Sequence, residues 1–427
     1  MNFPEEFLHF IWQFRLYEYK NLVTAAGETV EVLQQGSLNK NAGPDFSNAK
    51  LIISKTTWVG NVEVHLKSSD WLLHQHQHDE AYENVILHVV LEDDKPIYRK
   101  DGTAIPTLVM KGLFSETLFD KYLGMINSTN DFPCQKQIAT VDQFIIDGFL
   151  TRVLVERLTE KSVAVYEKLA QLKGDWDETF YHFMAKNFGF KVNALPMEML
   201  AQSLPQTIFA KHKDQPLQIE ALLFGQAGFL NQTFVDEYPN ALKKEYAFLQ
   251  KKYNLTPIDI SLWKFMRMRP QNFPTLRLAQ FAGLISVSNH LFSKVLTTKD
   301  YRNSAVLFEN LPVNPFWQTH YHFNKTATNV SLQLGKKSID NVLINTLCLF
   351  LFAYGKAMKQ ENYVTRALYI LEHLSAEQNA VVEQFINAEV SVKNAFSSQA
   401  ILQLKKCYCN EKKCLNCGIG IKLLKNV

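Results

Sequence analysis

The spacing of apolar residues changes once along this chain, and that change constrains its fold more than any other feature of the sequence. Between Thr29 and Met110 the apolar residues fall in short β-rich runs separated by glycine and proline. From about residue 141 to residue 400 they recur three or four positions apart, as on one face of a helix. The sequence therefore predicts an α+β or α/β protein with its sheet first and most of its helices afterwards.

Three segments follow from this pattern, since a chain of 427 residues is too long for one small core. Residues 1–135 begin with an apolar stretch at 4–19 that predicts one largely buried helix. Three strands, a polar segment at 79–83 with helical character, and two more strands come next. Residues 136–400 are predicted to form a mostly helical domain, and residues 401–427 a short basic tail rich in cysteine.

The composition is typical of a globular protein, and we expect the protein to be cytoplasmic. The formal net charge is only +3, so a nucleic-acid surface requires local clustering of charge. The first residues do not have the basic and apolar regions of a signal peptide. The apolar run from Val342 to Tyr354 is too short for a bilayer and predicts a buried core helix, so we expect no membrane partner. The sequence leaves the oligomeric state open.

One predicted strand, at 58–67, carries chemically distinctive side chains on one face. Alternation places Val62, Val64 and Leu66 on one face. Glu63, His65 and Lys67 share the other face. A solvated sheet surface explains such a face without any function. However, Asp45 lies 18 residues upstream of Glu63, and two carboxylates with a strand carbonyl form a hard-oxygen site suited to Mg²⁺. A third polar group then positions or deprotonates the attacking water.

The Asp45 and Glu63-Val64-His65 spacing resembles the PD-(D/E)XK nuclease superfamily. In that fold a helix precedes a β-meander, an aspartate opens the second strand, the third strand carries Glu-x-Lys, and a further helix and strand follow. The resemblance implies a restriction-endonuclease-like helix and mixed sheet that hydrolyses phosphodiesters of DNA or RNA. It also implies that Asp45 and Glu63 hold Mg²⁺ and that His65 occupies the place of the lysine. Lys67, on the same face, is the alternative for that role.

The same resemblance implies supporting residues from neighbouring helices. The helix after the third strand often carries a polar residue and a tyrosine that face the site, and Asp79 and Tyr82 are candidates. The first helix often adds a glutamate, for which Glu18 is the candidate. An imidazole supplies less positive charge than a lysine. A non-catalytic nucleic-acid-binding or scaffold protein with a degenerate nuclease core therefore remains open as an alternative.

A histidine-rich segment supports a different hypothesis. His74-x-His76 followed by Glu80 resembles the first half of a cupin metal motif, in which a jelly roll binds a transition metal, and His78 and His88 lie nearby. The glycine-bounded second half of that motif is missing. A cupin-like metalloenzyme and a surface loop with hydrogen-bonded histidines both remain open.

Several longer motifs resemble an uncharacterised bacterial family, chiefly from Bacteroidetes. They are GPDFSNA, GNVEVHLKSSDW, HQHD, AYENVILHVV and, near the end of the chain, CLNCGIG. The likeness extends over essentially the whole sequence and implies no particular activity.

The tail contains four of the six cysteines, Cys407, Cys409, Cys414 and Cys417. The Cys414-x-x-Cys417 spacing lets one tight turn direct two thiolates at one metal, which predicts Zn²⁺ or an iron–sulfur cluster. Cys407-x-Cys409 is one residue shorter, and side chains two positions apart can diverge. Cys134 is then an alternative ligand that would tie the tail to the end of the first domain. Free reduced thiols are the alternative without a metal.

Two groups of basic residues are candidates for nucleic-acid binding. The first surrounds a proline-interrupted turn in the helical domain and the second lies in the tail: Lys264, Arg267, Arg269 and Arg277, then Lys412 and Lys413. Arginines at helix ends can bind phosphates through two parallel hydrogen bonds. They also commonly satisfy loop carbonyls and pair with buried acids, and the sequence leaves both roles open.

Overall fold

The computed structural model describes residues 3–287, 290–298 and 301–425. The described chain divides into two compact units. The first comprises the residues up to Phe149, together with Gln384–Ser391 and the residues from Leu404 onward. The second comprises Leu150–Glu383 and Val392–Gln403. The predicted segments 1–135, 136–400 and 401–427 follow chain order, whereas these units do not, and the cysteine tail belongs to the first unit.

The N-terminal part of the first unit combines three helices with seven strands. The helices are α1 (Glu5–Gln13), α2 (Asp70–Leu73) and α3 (Glu116–Ile126). The strands are β1 (Leu22–Val23), β2 (Thr29–Gln34), β3 (Ser37–Leu38), β4 (Phe46–Ile53), β5 (Thr56–Lys67), β6 (Val85–Glu92) and β7 (Thr107–Val109).

These strands form one mixed sheet in the order β1-β2-β4-β5-β6-β7, with β3 paired to β4. Strands β2, β4 and β5 make an antiparallel meander. The chain then crosses through α2 and two short 3₁₀ turns, so that β6 and β7 pair in parallel with β5 and with each other. The predicted order of a helix, a meander, a crossover and further strands is confirmed, as is the α+β class.

The first helix is shorter than the sequence predicts. It ends at Gln13, where the prediction extends to residue 19, because Arg15 adopts a left-handed backbone with a φ of 51°. Its apolar side chains Phe7, Leu8 and Ile11 are fully buried, and the helix packs against β5. This packing brings the other face of α1 to the edge where β4 begins.

The second unit is predominantly helical. Its helices, some of which extend into the first unit, are α4 (Gln143–Gln171), α5 (Trp176–Phe188), α6 (Ala194–Ser203), α7 (Gln206–Ala210), α8 (Pro216–Gln226), α9 (Glu237–Tyr253), α10 (Pro274–Val287), α11 (Leu291–Thr297), α12 (Tyr301–Val306), α13 (Lys336–Val342), α14 (Leu349–Ala357), α15 (Glu361–His373), α16 (Ala380–Asn387) and α17 (Ala395–Leu404). A small antiparallel pair, β8 (His320–His322) and β9 (Lys325–Thr326), lies among them.

The most apolar helical stretch lies inside this unit. A π-helical segment, Leu343–Cys348, joins α13 to α14 and makes Lys336–Ala357 a continuous helix. Within the described ranges it is the one helix long and apolar enough to cross a membrane, and 72% of its most apolar window is buried in the protein. The run Val342–Tyr354 is thus a buried core helix, as its sequence predicts.

The tail folds back as ordered structure. A π-helical turn, Lys405–Cys409, continues α17, and a 3₁₀ turn, Cys414–Asn416, precedes α18 (Gly418–Lys425). The turn and α18 both contact α3 in the first unit.

Candidate metal centre

Two carboxylates meet where β4 begins. Phe46 of β4 pairs with Val62 of β5, so Asp45 lies beside Glu63. The backbone N–H of Asp45 donates to Glu63 Oε2 at 3.0 Å, and the N–H of Val64 donates to Asp45 Oδ2 at 3.0 Å. Each carboxylate therefore accepts a hydrogen bond from the backbone of the opposite strand, which fixes both groups before any ligand arrives.

The neighbouring parallel strand adds a buried imidazole. Glu63 and His88 are register partners on β5 and β6, and His88 Nε2 lies 2.9 Å from His65 Nδ1. Glu63 is 4% exposed, His65 is 1% exposed and His88 is fully buried. The polar face of β5 is therefore an internal surface at these positions and not a solvated one.

The crossover after β5 brings two more histidines to this surface. His74 Nδ1 lies 3.1 Å from His65 Nε2, and His76 Nε2 lies 3.2 Å from Glu63 Oε1. Gln75, between the two histidines, has a left-handed backbone with a φ of 61°, which reverses the chain so that both imidazoles reach the sheet. One ligand atom from each of His65, His74 and His76 lies within 4.8 Å of the others.

The first helix and the end of the crossover complete the surroundings. His9 Nε2 of α1 lies 3.2 Å from Asp45 Oδ2, and the side chain of Glu5 is one helical turn earlier. The Tyr82 ring stacks on the His76 ring, with 3.8 Å between centroids. Sequence reasoning missed Glu5 and His9, although their i, i+4 spacing on a helix was a usable signal.

Burial makes the two inner imidazoles neutral. Burial, and after it the nearby His88, His76, His74 and His9, together lower the pKa of His65 to about 2. Burial also lowers the pKa of His88 to about 3, with His76 contributing. A neutral imidazole is the form that binds a metal, because its ring nitrogen then has a free lone pair.

The carboxylate side of the centre is perturbed in the opposite direction. Burial raises the pKa of Glu63, and the nearby charge of Asp45 adds to that rise while His76 opposes it. Burial lowers the pKa of His9, but its hydrogen bond and charge interaction with Asp45 outweigh burial, so the net pKa is raised. The centre thus combines neutral imidazoles on one side with a histidine and aspartate pair on the other.

This set of donors suits a transition metal better than Mg²⁺. Glu63 Oε1 faces both His76 Nε2 at 3.2 Å and His65 Nε2 at 3.5 Å. Imidazole nitrogens favour Zn²⁺, Fe²⁺ or Mn²⁺ over Mg²⁺, which prefers oxygen ligands in an octahedron. His65, His74, His76 and Glu63 are therefore the residues that can hold an ion here.

Other predicted site residues lie outside this cluster. Lys67 is exposed at the end of β5, and Glu80 is exposed in a 3₁₀ turn. Asp79 accepts a hydrogen bond from the Ala81 N–H and caps that turn, and Glu18 is exposed beyond α1. A cupin jelly roll consists of antiparallel strands in two sheets. The single mixed sheet observed here is a different fold, although His74 and His76 of that hypothesis do belong to the centre.

The basic residues of the second unit fall into two kinds. Lys264, Arg267 and Arg269 are exposed in the loop before α10. Arg277 is 4% exposed, donates to Gln280, Asn272 and Ser338, and lies over the Phe190 ring. Its role is therefore structural, because its guanidinium is already engaged inside the unit. In the first unit, Lys412 and Lys413 are exposed.

The cysteines of the tail meet a cysteine from the N-terminal part of the first unit. Cys134, Cys409, Cys414 and Cys417 line one small cavity, together with Met125, Pro133, Tyr408, Lys413 and Gly420. Cys407 is not among the described residues that line it. The structure thus groups the alternative ligand Cys134 with three of the four predicted cysteines.

Comparison with known proteins gives one match. No curated protein and no solved structure matches this chain. One family model does match it, over residues 5–380, which include the whole of the candidate metal centre and end before the three tail cysteines of the cavity. The chain therefore belongs to the family described as "Protein of unknown function (DUF2851)".

Proposed function

We propose that this protein is a metal-dependent phosphodiesterase that hydrolyses nucleic acid. The main support for the proposal is that Asp45, at the start of β4, lies beside Glu63 of β5. Each carboxylate accepts a hydrogen bond from a backbone N–H of the other strand. Carboxylates on adjacent interior strands of a rigid sheet suit a hydrolytic ion site, because the geometry needs no reorganisation.

The order of the elements around the carboxylates supports a phosphodiester substrate. A helix, an antiparallel meander, a crossover and a parallel strand are the elements that the PD-(D/E)XK resemblance implies, in the same order. Asp45 precedes the second long strand of the meander and Glu63 lies within the third. These are the positions that the superfamily uses for its metal-binding carboxylates.

The imidazoles change which ion we expect. We propose that Mn²⁺ or Zn²⁺ takes the place of Mg²⁺, with His65, His74, His76 and Glu63 as its ligands, since their donor atoms lie close together. A divalent ion in this position supplies the Lewis acidity that phosphodiester hydrolysis requires. His74 is exposed and His76 is partly exposed, so the ion and the substrate can approach from this side.

The positive charge that a lysine supplies in such sites must have another source here. His65 is buried and neutral, so it acts as a ligand or acceptor and not as a cation. His9 lies against Asp45 at 3.2 Å on the opposite side of the carboxylate pair. We assign to His9 the role of orienting Asp45 and balancing its charge. Exposed Lys264, Arg267 and Arg269 are candidates for contacts with the nucleic-acid backbone.

The test is cleavage of labelled single-stranded and duplex DNA and RNA with Mn²⁺, Zn²⁺ or Mg²⁺. We expect activity with Mn²⁺ or Zn²⁺, and losses of at least about 100-fold in Asp45→Asn and in Glu63→Gln, because removing one electrostatic contributor costs that much. His78→Gln is the matched control, since His78 is exposed in the same crossover and lies outside the metal-binding group. Circular dichroism checks that each variant is folded.

Two results would contradict the proposal. Cleavage that persists in both carboxylate variants would assign the activity to another site or to a contaminant. Binding of nucleic acid without cleavage under any of the three ions would favour the non-catalytic alternative, in which the core persists as a scaffold. Two further variants, Lys67→Ala and His65→Ala, test which residue takes the role of the superfamily lysine. If Lys67→Ala is inactive while His65→Ala remains active, that role belongs to Lys67.

A further inference from the structure

We propose that Cys134, Cys409, Cys414 and Cys417 together bind one [4Fe–4S] cluster in the first unit, and that Cys407 is not a ligand. The four cysteines come from two parts of the chain. Cys134 lies between α3 and α4, and the other three lie in the tail. They nevertheless line a single cavity. Four sulfurs around one cavity are the number of ligands that a cubane cluster or a structural metal requires.

The electrostatics of the cysteines support this grouping. Burial raises the pKa of Cys134, and charges on Cys417 and Cys414 raise it further. Burial likewise raises the pKa of Cys409, to which Cys134, Cys417 and Cys414 all contribute. These interactions agree with the grouping of the four cysteines around one cavity.

The local backbone is shaped around the sulfurs. The 3₁₀ turn Cys414–Asn416 places Cys414 and Cys417 on the same side of the chain, and α18 starts directly after Cys417. The backbone amides of Gly420 and Ile419 face the Cys417 sulfur. A Cβ atom at Gly420 would lie 2.3 Å from the Cys414 carbonyl oxygen, so glycine is needed where α18 passes this turn. N–H groups directed at cysteine sulfur are a feature of iron–sulfur sites.

Three of the four cysteines that line the cavity are also shielded from water. Cys134, Cys414 and Cys417 are each less than 10% exposed, at 8%, 6% and 6%. Met125 and Tyr408 also line the cavity, and the Tyr408 ring packs edge-on against Phe149 at 5.4 Å. An apolar shell of this kind excludes solvent from a cluster and slows its oxidation.

The spacing of the sulfurs favours a cluster over a single zinc ion. Zn–S bonds of about 2.3 Å in a tetrahedron place the sulfurs about 3.8 Å apart. Among the described residues, the set of three or more ligand atoms that lie within 4.8 Å of one another is His65, His74 and His76, and no cysteines belong to it. No three of the four sulfurs therefore have zinc spacing. A cubane of iron and sulfide separates its ligands more widely, because four metal ions lie between them.

Cys407 has the sequence position of a ligand but not the geometry. It lies two residues before Cys409 within the π-helical turn Lys405–Cys409. Helical side chains two positions apart point in different directions, so Cys409 faces the cavity while Cys407 does not. This difference supplies a matched control two residues from a ligand.

The experiment is purification of the full chain without oxygen, followed by iron, sulfide and zinc analysis and by visible and electron paramagnetic resonance spectroscopy. We expect a brown protein with iron and acid-labile sulfide in equal amounts, about four of each per chain. Cys134→Ser, Cys409→Ser, Cys414→Ser and Cys417→Ser should each lose the [4Fe–4S] signal, and Cys407→Ser should retain it.

If a serine variant fails to fold, metal and sulfide analysis of the wild-type protein still tests whether a cluster is bound. One equivalent of zinc without sulfide, or no metal after treatment with ferrous iron, sulfide and a thiol reductant, would overturn the cluster. A Cys407→Ser variant that loses the signal while Cys134→Ser keeps it would overturn the ligand set. Neither result bears on the carboxylate and histidine centre, whose test uses nucleic-acid cleavage.

Discussion

Burial determines what individual side chains can do in this protein. His65 is 1% exposed and surrounded by other imidazoles, so its pKa falls to about 2. Desolvation disfavours the charged form of any buried group. The same residue on an exposed strand would titrate near neutrality and serve as a base. Its environment therefore leaves its imidazole uncharged, which is the form that can act as a metal ligand.

The second unit contains a carboxyl group whose pKa is raised by burial, whereas burial lowers the pKa of His65. Glu220 of α8 is 6% exposed, and burial raises its pKa to about 7, against which its hydrogen bond with Tyr238 acts. The folded pKa thus exceeds the unfolded value of 4.5, so the folded state binds the proton more tightly. Ionisation of this buried carboxyl therefore lowers the free energy of unfolding. The loss is absent below pH 4.5, grows between pH 4.5 and the folded pKa, and is constant at higher pH.

We expect Glu220→Gln to stabilise the protein at pH 8 by up to about 3 kcal/mol, because an isosteric neutral amide removes that loss. At pH 5 the same variant should change the free energy of unfolding by less than about 1 kcal/mol. Urea unfolding at the two pH values measures the difference. Glu372→Gln, at an exposed position of α15, is the control and should have equal effects at both pH values. A gain at pH 8 no larger than that at pH 5 would contradict the assigned pKa.

At the scale of elements, the site depends on how closely β5 approaches β6. Gly60 lies where this parallel pairing starts, and a Cβ atom there would lie 2.5 Å from Ile86 Cγ2 and 2.6 Å from the Asn84 carbonyl oxygen. The chain must pass this point before Glu63 can oppose His88 in register. The absence of a side chain at Gly60 therefore permits the arrangement of the candidate metal centre.

Gly60→Ala should lower the free energy of unfolding by about 1–3 kcal/mol, because the added methyl group must displace the backbone of the crossover. It should also weaken binding of Mn²⁺, since β5 and β6 carry the ligands and their support. Gly124→Ala is the matched control: its Cβ would meet nothing within 4 Å, and alanine favours the helix α3 by up to about 1 kcal/mol. Denaturant unfolding and Mn²⁺ titration measure both effects. Equal stability in the two variants would argue against the close approach.

At the scale of the whole molecule, the clusters of potential metal ligands described above belong to the first unit. The carboxylate and histidine centre and the cysteine cavity both lie within it. The described part of the second unit supplies exposed basic residues before α10 and a large buried core that includes the helix Lys336–Ala357. Ligand binding should therefore stabilise the two units unequally.

Mn²⁺ tests this separation without cutting the chain. At about 100 times its dissociation constant, an ion that binds only the folded site adds about 2.7 kcal/mol of stability. We expect hydrogen exchange to slow in β4, β5 and β6 and to remain unchanged in α10. His76→Gln should abolish the effect, because it removes a ligand nitrogen that lies 3.2 Å from Glu63, whereas His78→Gln should retain it. Uniform protection in both units, or protection that survives in His76→Gln, would place the ion elsewhere.

The sequence by itself determined those features that depend on local periodicity. A period of two predicted the meander and the shared face of Glu63 and His65, and a period near 3.6 predicted the helical region. The position of Asp45 before a strand and the Cys414-x-x-Cys417 turn were equally visible. Each is a property of a short stretch of chain, so neighbours in sequence are sufficient to predict it.

Only the tertiary structure decided which distant residues meet. The sequence treated the His74 and His76 segment as an alternative to the carboxylates, but a left-handed turn at Gln75 joins both to one centre, and parallel pairing with β6 adds His88. His9 arrives from α1, and Cys134 takes the place expected for Cys407. These contacts depend on strand register, on helix packing and on single backbone angles. Such features arise when the whole sheet assembles, and no local pattern encodes them.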